Sequence, residues 1–420
     1  MTIYNYKVNK WYDNTTDKRT TMLKKLFKYQ ERLQQSHTIT SKRYLYHNLD
    51  FENKMIGIFG ARGVGKTTIL FQYLSQLQKD NKKALYISMD YPFFTGVDLI
   101  DIVEQFINEG GQYLLLDEVH RYADFSAYLK TLYDLFDIHI LFTGSSATSI
   151  LNAQSDLSRR VTLYRLHGFS FREYLELKFD TALPVLSIEE ITISHISIAQ
   201  SLLKNIPNLS ILEEFQDYLK HGYYPFYFDK QNSYYENLLN TINLTIDIDL
   251  TSLGLIEQKY TYKLKRLLEV ICESKPFEVN FSKISQAAEI SRAKLYDYIT
   301  YLNDGEMLLL VDQNIKGIKK INKPAKIYLN NTNLLFAYCE NAETGTIRET
   351  FFANQTSLYH TLKIGKEGDF IINNKYIFEI GGKNKKFTQI KDIKESYVVS
   401  DNIEVGSRNK IPLYLFGLIY

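Results

Sequence analysis

The run Gly60-Ala61-Arg62-Gly63-Val64-Gly65-Lys66-Thr67-Thr68 carries the most specific chemistry in the chain. Its spacing, G-x-x-x-x-G-K-[ST], suits a loop that cradles the phosphates of a nucleoside triphosphate. Glycines let the backbone turn sharply and aim N–H groups at phosphate oxygens, and a helix starting there adds its positive end. Lys66 would reach the β- and γ-phosphates, and the Thr67 hydroxyl would ligate Mg²⁺. ATP and Mg²⁺ are therefore the expected ligands, with residues 60–68 as the nucleotide site.

Two acids follow at Asp117-Glu118, closing the apolar run Tyr113-Leu-Leu-Leu. Asp117 would hold Mg²⁺ through water, and Glu118 would orient the attacking water. An acidic pair after a strand is by itself a solvated strand end; downstream of a phosphate loop the catalytic reading prevails. Another apolar run ends in Thr143-Gly-Ser-Ser146. A hydroxyl there, Ser145 or Ser146, would hold the lytic water or the γ-phosphate; the same residues would equally cap the next helix.

Such groups need a scaffold that gathers the ends of several strands. Apolar runs at 55–60, 84–90, 113–118 and 139–144 read as strands, with helical spacing near 66–79, 97–109 and 123–136. That alternation predicts an α/β fold with a parallel sheet covered by helices. Residues near 19–35 read as an amphipathic helix with a cationic face, better suited to packing on the next domain than to holding nucleic acid. Residues 170–255 read as helical with a break at HGYYPF (221–226). Three helices and two strands fill 262–330, the order of a winged helix-turn-helix, with Ser291 as cap of the third helix. The last ninety residues mix strands and helices, with turns at Gly365, Gly368, Asn373–Asn374 and Gly381–Gly382. The expected domains are a basic helical arm (1–50), a P-loop core (51–175), a helical lid (176–260), the winged helix (261–330) and a C-terminal α/β domain (331–420).

The bulk numbers agree with a folded, multidomain chain. At 420 residues, with 45% hydrophobic and 23% charged, it exceeds one ordinary core and is no disordered polymer. A net charge of +2 leaves any nucleic-acid surface local. No apolar run approaches the ~20 residues of a membrane span, and no signal-peptide core opens the sequence. Two cysteines far apart, Cys272 and Cys339, fit apolar fillers in a reducing compartment, so the expected location is cytoplasmic.

Three segments (GARGVGKTT, LLLDEVHRYADFSAYLKTLYDLFDIHILFTGSSATSIL and LSRRVTLYRLHGFSFREYL) together resemble a prokaryotic group of AAA-like P-loop ATPases. Its members carry a C-terminal domain of unknown function similar to PD-(D/E)xK nucleases. The resemblance covers nearly the whole chain and is strongest from 55 to 175; HGYYPFYF matches a Gly/Pro signature of the following helical region. It implies the nucleotide site above, Ser145 or Ser146 as sensor, and Arg160 as a finger within the chain or from a neighbouring subunit. Arg159 takes that place if the register slips by one, and a structural salt bridge is the alternative role. The nuclease likeness implies Glu349, Asp369 and Glu379 with Lys383. The family's lysine stands two residues after the glutamate; here Gly381 occupies that position and Lys383 is the first lysine beyond it. The expectation is a domain that recognises a partner or nucleic acid without cutting efficiently.

DNA is a candidate partner of the winged helix, through Arg292 and Lys294 on its recognition helix and Lys316, Lys319, Lys320, Lys323 and Lys326 on its wing. A homo-oligomer is a further candidate. The expected function is Mg²⁺-dependent ATP hydrolysis coupled to conformational change, with DNA as the candidate macromolecule acted upon. Two rivals stand beside it: a nucleotide-gated switch that binds a protein partner, and a DNA-binding regulator with a vestigial ATPase.

Overall fold

Short strands without polar interruption form where both faces of a sheet are covered, and the first half of the chain is built this way. The computed structural model describes residues 22–36, 41–91, 98–122, 124–144, 157, 159–252, 254–273, 280–313 and 324–420. The chain divides into two compact units, 1–167 and 168–420.

In the first unit, α1 (residues 22–36) and α2 (Tyr44–Asn48) precede β1 (Met55–Phe59), α3 (Lys66–Lys79) and β2 (Ala84–Ser88). Then come α4 (Leu99–Asn108), β3 (Tyr113–Asp117), α5 (Phe125–Leu135), β4 (His139–Gly144) and β5 (Thr162–Arg165). The five strands are parallel in the order β2-β3-β4-β1-β5. The four expected strands and three expected helices are present within about two residues at each end; β5 has no counterpart among the expected strands. Gly57 explains the tight centre of the sheet. A Cβ there would lie 2.6 Å from both Leu163 and the Phe142 ring, so only glycine lets β4 and β5 flank β1 with these side chains.

The α1 helix buries Leu23 and Leu26 in the core with Leu85, Leu114 and Phe106, while Lys24, Lys25, Lys28 and Arg32 stay exposed. Its Gln30 Oε1 accepts a 2.7 Å hydrogen bond from the Tyr86 N–H. The helix therefore packs on the P-loop core, as its apolar stripe predicts. Residues 1–21 of the expected arm lie outside the described residues.

The second unit opens with helices at Phe171–Phe179 and Ile188–Asn205, each started by a capping box, Ser170 with Glu173 and Ser187 with Glu190. The HGYYPF break begins within a π-helical turn, Tyr218–Gly222. Asp217 lies just before that turn and accepts hydrogen bonds from Tyr174 Oη (2.6 Å), His221 Nδ1 (2.8 Å) and Tyr227 Oη (3.2 Å). Burial pushes its carboxyl up, but the bonds from His221 and Tyr174 and the Lys178 ammonium outweigh this and hold it well below the usual range. Because the native pKa is depressed, the stabilisation is present above the ordinary carboxylate pKa and is lost as pH falls through the native one. Asp217→Asn is expected to cost about 1–3 kcal/mol at pH 7. In chemical denaturation, the gap to the parent protein should shrink progressively below about pH 4.

Helices at Thr261–Glu273, Phe281–Ala287 and Arg292–Asp304 follow, then the antiparallel strands β6 (Leu308–Gln313) and β7 (Lys326–Leu329). Ser291 caps the third helix, its side chain accepting from the Lys294 N–H. The two strands are not a free wing. They continue into a seven-stranded mixed sheet, order β12-β11-β10-β9-β8-β6-β7, with β8 (Leu362–Ile364), β9 (Phe370–Ile372), β10 (Tyr376–Gly381), β11 (Ser396–Ser400) and β12 (Lys410–Pro412). Lysines 316, 319, 320 and 323 lie outside the described residues.

The cysteines depart from expectation. Cys272 and Cys339 are joined in a disulfide with a Cα–Cα distance of 5.5 Å, rather than standing as separate fillers. The ends of the helices Thr261–Glu273 and Thr332–Tyr338 come together in the fold, a proximity that 67 residues of separation conceals. The inference of a reducing compartment from unpaired cysteines therefore falls away. Among the described residues no helix is long and apolar enough to cross a membrane.

Candidate nucleotide site

The parallel register brings the C-terminal ends of β1, β3 and β4 into one row, since Phe59 pairs with Gly144 and Leu116 with Phe142. Ligands of open α/β sheets bind along such an edge. Gly63 (φ 83°) and Gly65 (φ 98°) adopt left-handed conformations that most side chains avoid. At Gly60 a Cβ would lie 2.1 Å from the Leu166 carbonyl oxygen, so no larger residue fits. Helix α3 starts at Lys66 with Gly65 as its cap residue, which has no side chain to bond the first N–H groups. Its positive end is thus presented to the loop.

Lys66 is buried, its ammonium donating to the Gly60 and Ala61 carbonyls at 2.9 Å each. Below the loop lies a residue that the sequence pattern marks only as part of a basic arm. Arg43 is buried and donates to the Val64 carbonyl and, at 2.7 Å, to the His167 carbonyl, tying the phosphate loop to the chain after β5. Beside it the Tyr44 hydroxyl donates to the Arg165 carbonyl (3.1 Å) and accepts from the His167 N–H (3.1 Å). In sequence, Lys42-Arg43 is one more pair of cations, and nothing local separates the buried one from the exposed one.

Asp117 is buried and fully engaged. Its Oδ2 accepts from Thr67 Oγ1 and Tyr86 Oη, both at 2.8 Å, and its Oδ1 accepts from Thr143 Oγ1. Burial and the adjoining Asp117 push the Tyr86 phenol far up, so it stays a donor. One carboxylate beside one hydroxyl fits Mg²⁺, which takes a few hard oxygen donors from protein and the rest from water and phosphate. Among the described residues no group of three His, Cys, Asp or Glu side chains is arranged to hold a metal ion. Asp117 and Thr67 would hold the ion, which would neutralise charge on the β- and γ-phosphates.

Glu118 adopts φ 55° and ψ 44°, a strained conformation for this residue, and its N–H donates to Thr143 Oγ1 at 3.1 Å. Thr143 thus bridges both acids. The expected sensor hydroxyls, Ser145 and Ser146, lie outside the described residues; the hydroxyl observed at the two acids is that of Thr143.

The structure does not bring Arg160 to this edge. It forms a bidentate pair with Asp134, Nε to Oδ1 at 2.7 Å and Nη2 to Oδ2 at 2.9 Å. It lies in the turn before β5, at the opposite end of the sheet, because Thr162 pairs with Ile56 while Arg165 pairs with Phe59. At about 3.3 Å per residue, the phosphate loop is roughly 15 Å away along the strands. A finger within the same site does not fit this placement, and the structural salt bridge does; Arg159 shares the same turn. Arg165, at the other end of β5, stands with its guanidinium 5.9 Å from the Phe59 ring centroid.

In the second unit, the carboxylates of the nuclease likeness carry partners of their own. Glu349 is buried and accepts from Lys326 Nζ at 3.0 Å and from Tyr328 Oη. Asp369 accepts from the Ile380 N–H at 2.7 Å. Glu379 pairs with Lys385, not Lys383, whose carbonyl instead accepts from Lys410 Nζ at 2.6 Å. The bare Gly381 makes this possible. A Cβ there would lie 2.6 Å from Lys385 Cγ, so the lysine folds back through the space a side chain would fill. Burial pushes the Glu379 carboxyl up, Lys385 opposes this, and the charges of Asp369 and Glu349 push it further up. Lys326, expected on an exposed wing, is buried against Glu349 and cannot reach a phosphate backbone there. Arg292 and Lys294 are exposed.

Residues 52–175 match a family model described as an AAA domain, and residues 212–344 match one described as a domain of unknown function (DUF8612). An uncharacterized protein of Methanocaldococcus jannaschii is 26% identical over 286 residues, 66% of this chain, and the chain spans 60% of that relative's length. Among solved structures, AMPPCP-bound DnaA from Aquifex aeolicus aligns over 62% of this chain and 84% of its own at 15% identity and a TM-score of 0.24. The Hsp104–ADP complex of S. cerevisiae aligns over 66% of this chain and 40% of its own at 14% identity and a TM-score of 0.27. The family match and the parallel sheet agree on a P-loop domain of the AAA type in the first unit.

Proposed function

We propose that the chain binds ATP on residues 60–68 and hydrolyses it with Mg²⁺ held by Thr67 and Asp117, converting hydrolysis into conformational change. The observation that carries the reading is the convergence of Thr67, Tyr86 and Thr143 on Asp117, with Glu118 joined to the same Thr143 hydroxyl. A vestigial site has no use for a strained glutamate beside the metal-binding acid. Glu118 would orient water, and Lys66 and Mg²⁺ would stabilise the charge of the transferring phosphoryl group.

The test is an ATPase assay with Mg²⁺ or EDTA, with and without duplex DNA, with molecular size measured alongside. Mg²⁺-dependent phosphate release supports the reading, and its absence under all these conditions overturns it. Stimulation by DNA that weakens with salt would make DNA the partner of the exposed Arg292 and Lys294.

The C-terminal cluster is proposed to serve recognition rather than cleavage. Lys385 supplies an ammonium to Glu379, but Glu349 is already neutralised by Lys326 and no three acids converge as a metal site among the described residues. No cleavage of plasmid or single-stranded DNA is expected in Mg²⁺ or Mn²⁺. Robust cleavage that disappears in Asp369→Ala would reverse this and make Asp369, Glu379 and Lys385 catalytic.

A further inference from the structure

The geometry points to His120 as the residue that positions Glu118 for hydrolysis, an inference that rests on the ATPase reading above. Glu118 is held at its backbone, by Thr143 at its N–H and by the Arg121 N–H on its carbonyl at 2.9 Å. Its carboxylate is different: Oε2 is buried and accepts no hydrogen bond. An oxygen left in that state is costly unless the working state supplies a donor.

The donor stands 3.4 Å away as Nε2 of His120. The left-handed turn at Glu118 feeds directly into the single 3-10 turn Val119–Arg121, which places His120 two residues on beside the carboxylate. The His120 side chain is 0% exposed and that of Glu118 is 16% exposed. The imidazole is therefore confined by packing while the carboxylate keeps a path to solvent. Closing the gap by about 0.5 Å gives an ordinary N–H···O bond. His120 then donates through Nε2 to Oε2, and Oε1 remains to accept from the attacking water. Placement matters at this scale, since a shift of about 1 Å at a reacting group can cost on the order of 100-fold in rate.

His120 touches neither nucleotide nor water in this scheme; it acts through Glu118. The comparison is between His120→Leu, which fills the cavity without donating, and His120→Gln, whose amide N–H can replace Nε2. His120→Leu is expected to lower kcat by about tenfold or more while the ATP Kd stays within about twofold, and His120→Gln to recover much of the loss. In the background of Glu118→Gln, His120→Leu should cause no additional loss, because the group it positions is already gone. If the parent chain shows no Mg²⁺-dependent hydrolysis, the ATPase reading fails and takes the inference with it. If the parent hydrolyses ATP but His120→Leu keeps its kcat, the inference alone is overturned. It is overturned equally if the two losses multiply in the double variant, or if His120→Gln is as slow as His120→Leu.

Discussion

Glu118→Gln is expected to bind ATP within about twofold of the parent affinity and to lose about 10²–10³-fold in kcat. The substitution keeps the size of the side chain and removes its charge. In the proposed site, ground-state binding would rest on Lys66, Thr67 and the loop N–H groups; the Lys66 ammonium bonds to Gly60 and Ala61, and the Thr67 hydroxyl to Asp117. The loss should therefore fall on the step in which water attacks, where a carboxylate both aligns the nucleophile and stabilises its developing positive charge. The measurement is single-turnover hydrolysis beside calorimetric binding. Equal losses in affinity and rate would make Glu118 a structural or metal-binding residue. The Glu118→Gln protein also separates the ATPase from its rival, the nucleotide-gated switch. A switch keeps its biological output when hydrolysis is removed, whereas a motor-like cycle stops.

Lys66→Ala should have the largest effect on binding. The ammonium lies within the loop on the Gly60 and Ala61 carbonyls, ready to exchange them for phosphate oxygens. Charge-assisted hydrogen bonds to phosphate are among the strongest single contacts a side chain makes, and their loss should weaken ATP binding by about 100-fold or more. The substitution also leaves two carbonyls of the loop without their donor, so a modest loss of stability without nucleotide is expected, about 1–2 kcal/mol. Thermal unfolding separates the two effects. Ligand at about 100 times Kd stabilises a folded protein by about 2.7 kcal/mol, a shift the parent should show and the variant should lack. An unchanged ATP-induced shift in Lys66→Ala would remove residues 60–68 from the proposed site.

Arg160 and Arg165 show how strand register decides at which end of the sheet an arginine stands. They are five residues apart, but a parallel strand running between them carries one to each end of the sheet. The bidentate Asp134 pair then fixes Arg160 at the far end. A family pattern can locate an arginine in the chain without locating it in the sheet. The lysine of the C-terminal cluster behaves in the same way. Counting two residues on from Glu379, where a lysine was expected, gives Gly381, yet the ammonium at Glu379 comes from Lys385, folded across that glycine.

What the sequence determined by itself was whatever chemistry acts over a few residues. The glycine spacing of the phosphate loop, the acids at the end of β3 and the strand–helix alternation are local patterns, set by backbone sterics and by the period of apolar residues. They sufficed for the parallel sheet and the amphipathic α1, and for placing the candidates Lys66, Thr67, Asp117 and Glu118 at one edge of that sheet. What only the tertiary structure decided was the fate of charged, hydroxyl and sulfur side chains whose partners lie far along the chain. Arg43 is 21 residues from Val64 and 124 from His167, Thr143 is 26 from Asp117, Lys326 is 23 from Glu349, and Cys272 is 67 from Cys339. Each of these residues carries the same local signature whether it is exposed and solvated or buried and paired. The difference arises from which elements pack together, because burial makes an unpaired polar group costly and so selects the conformation in which its distant partner reaches it.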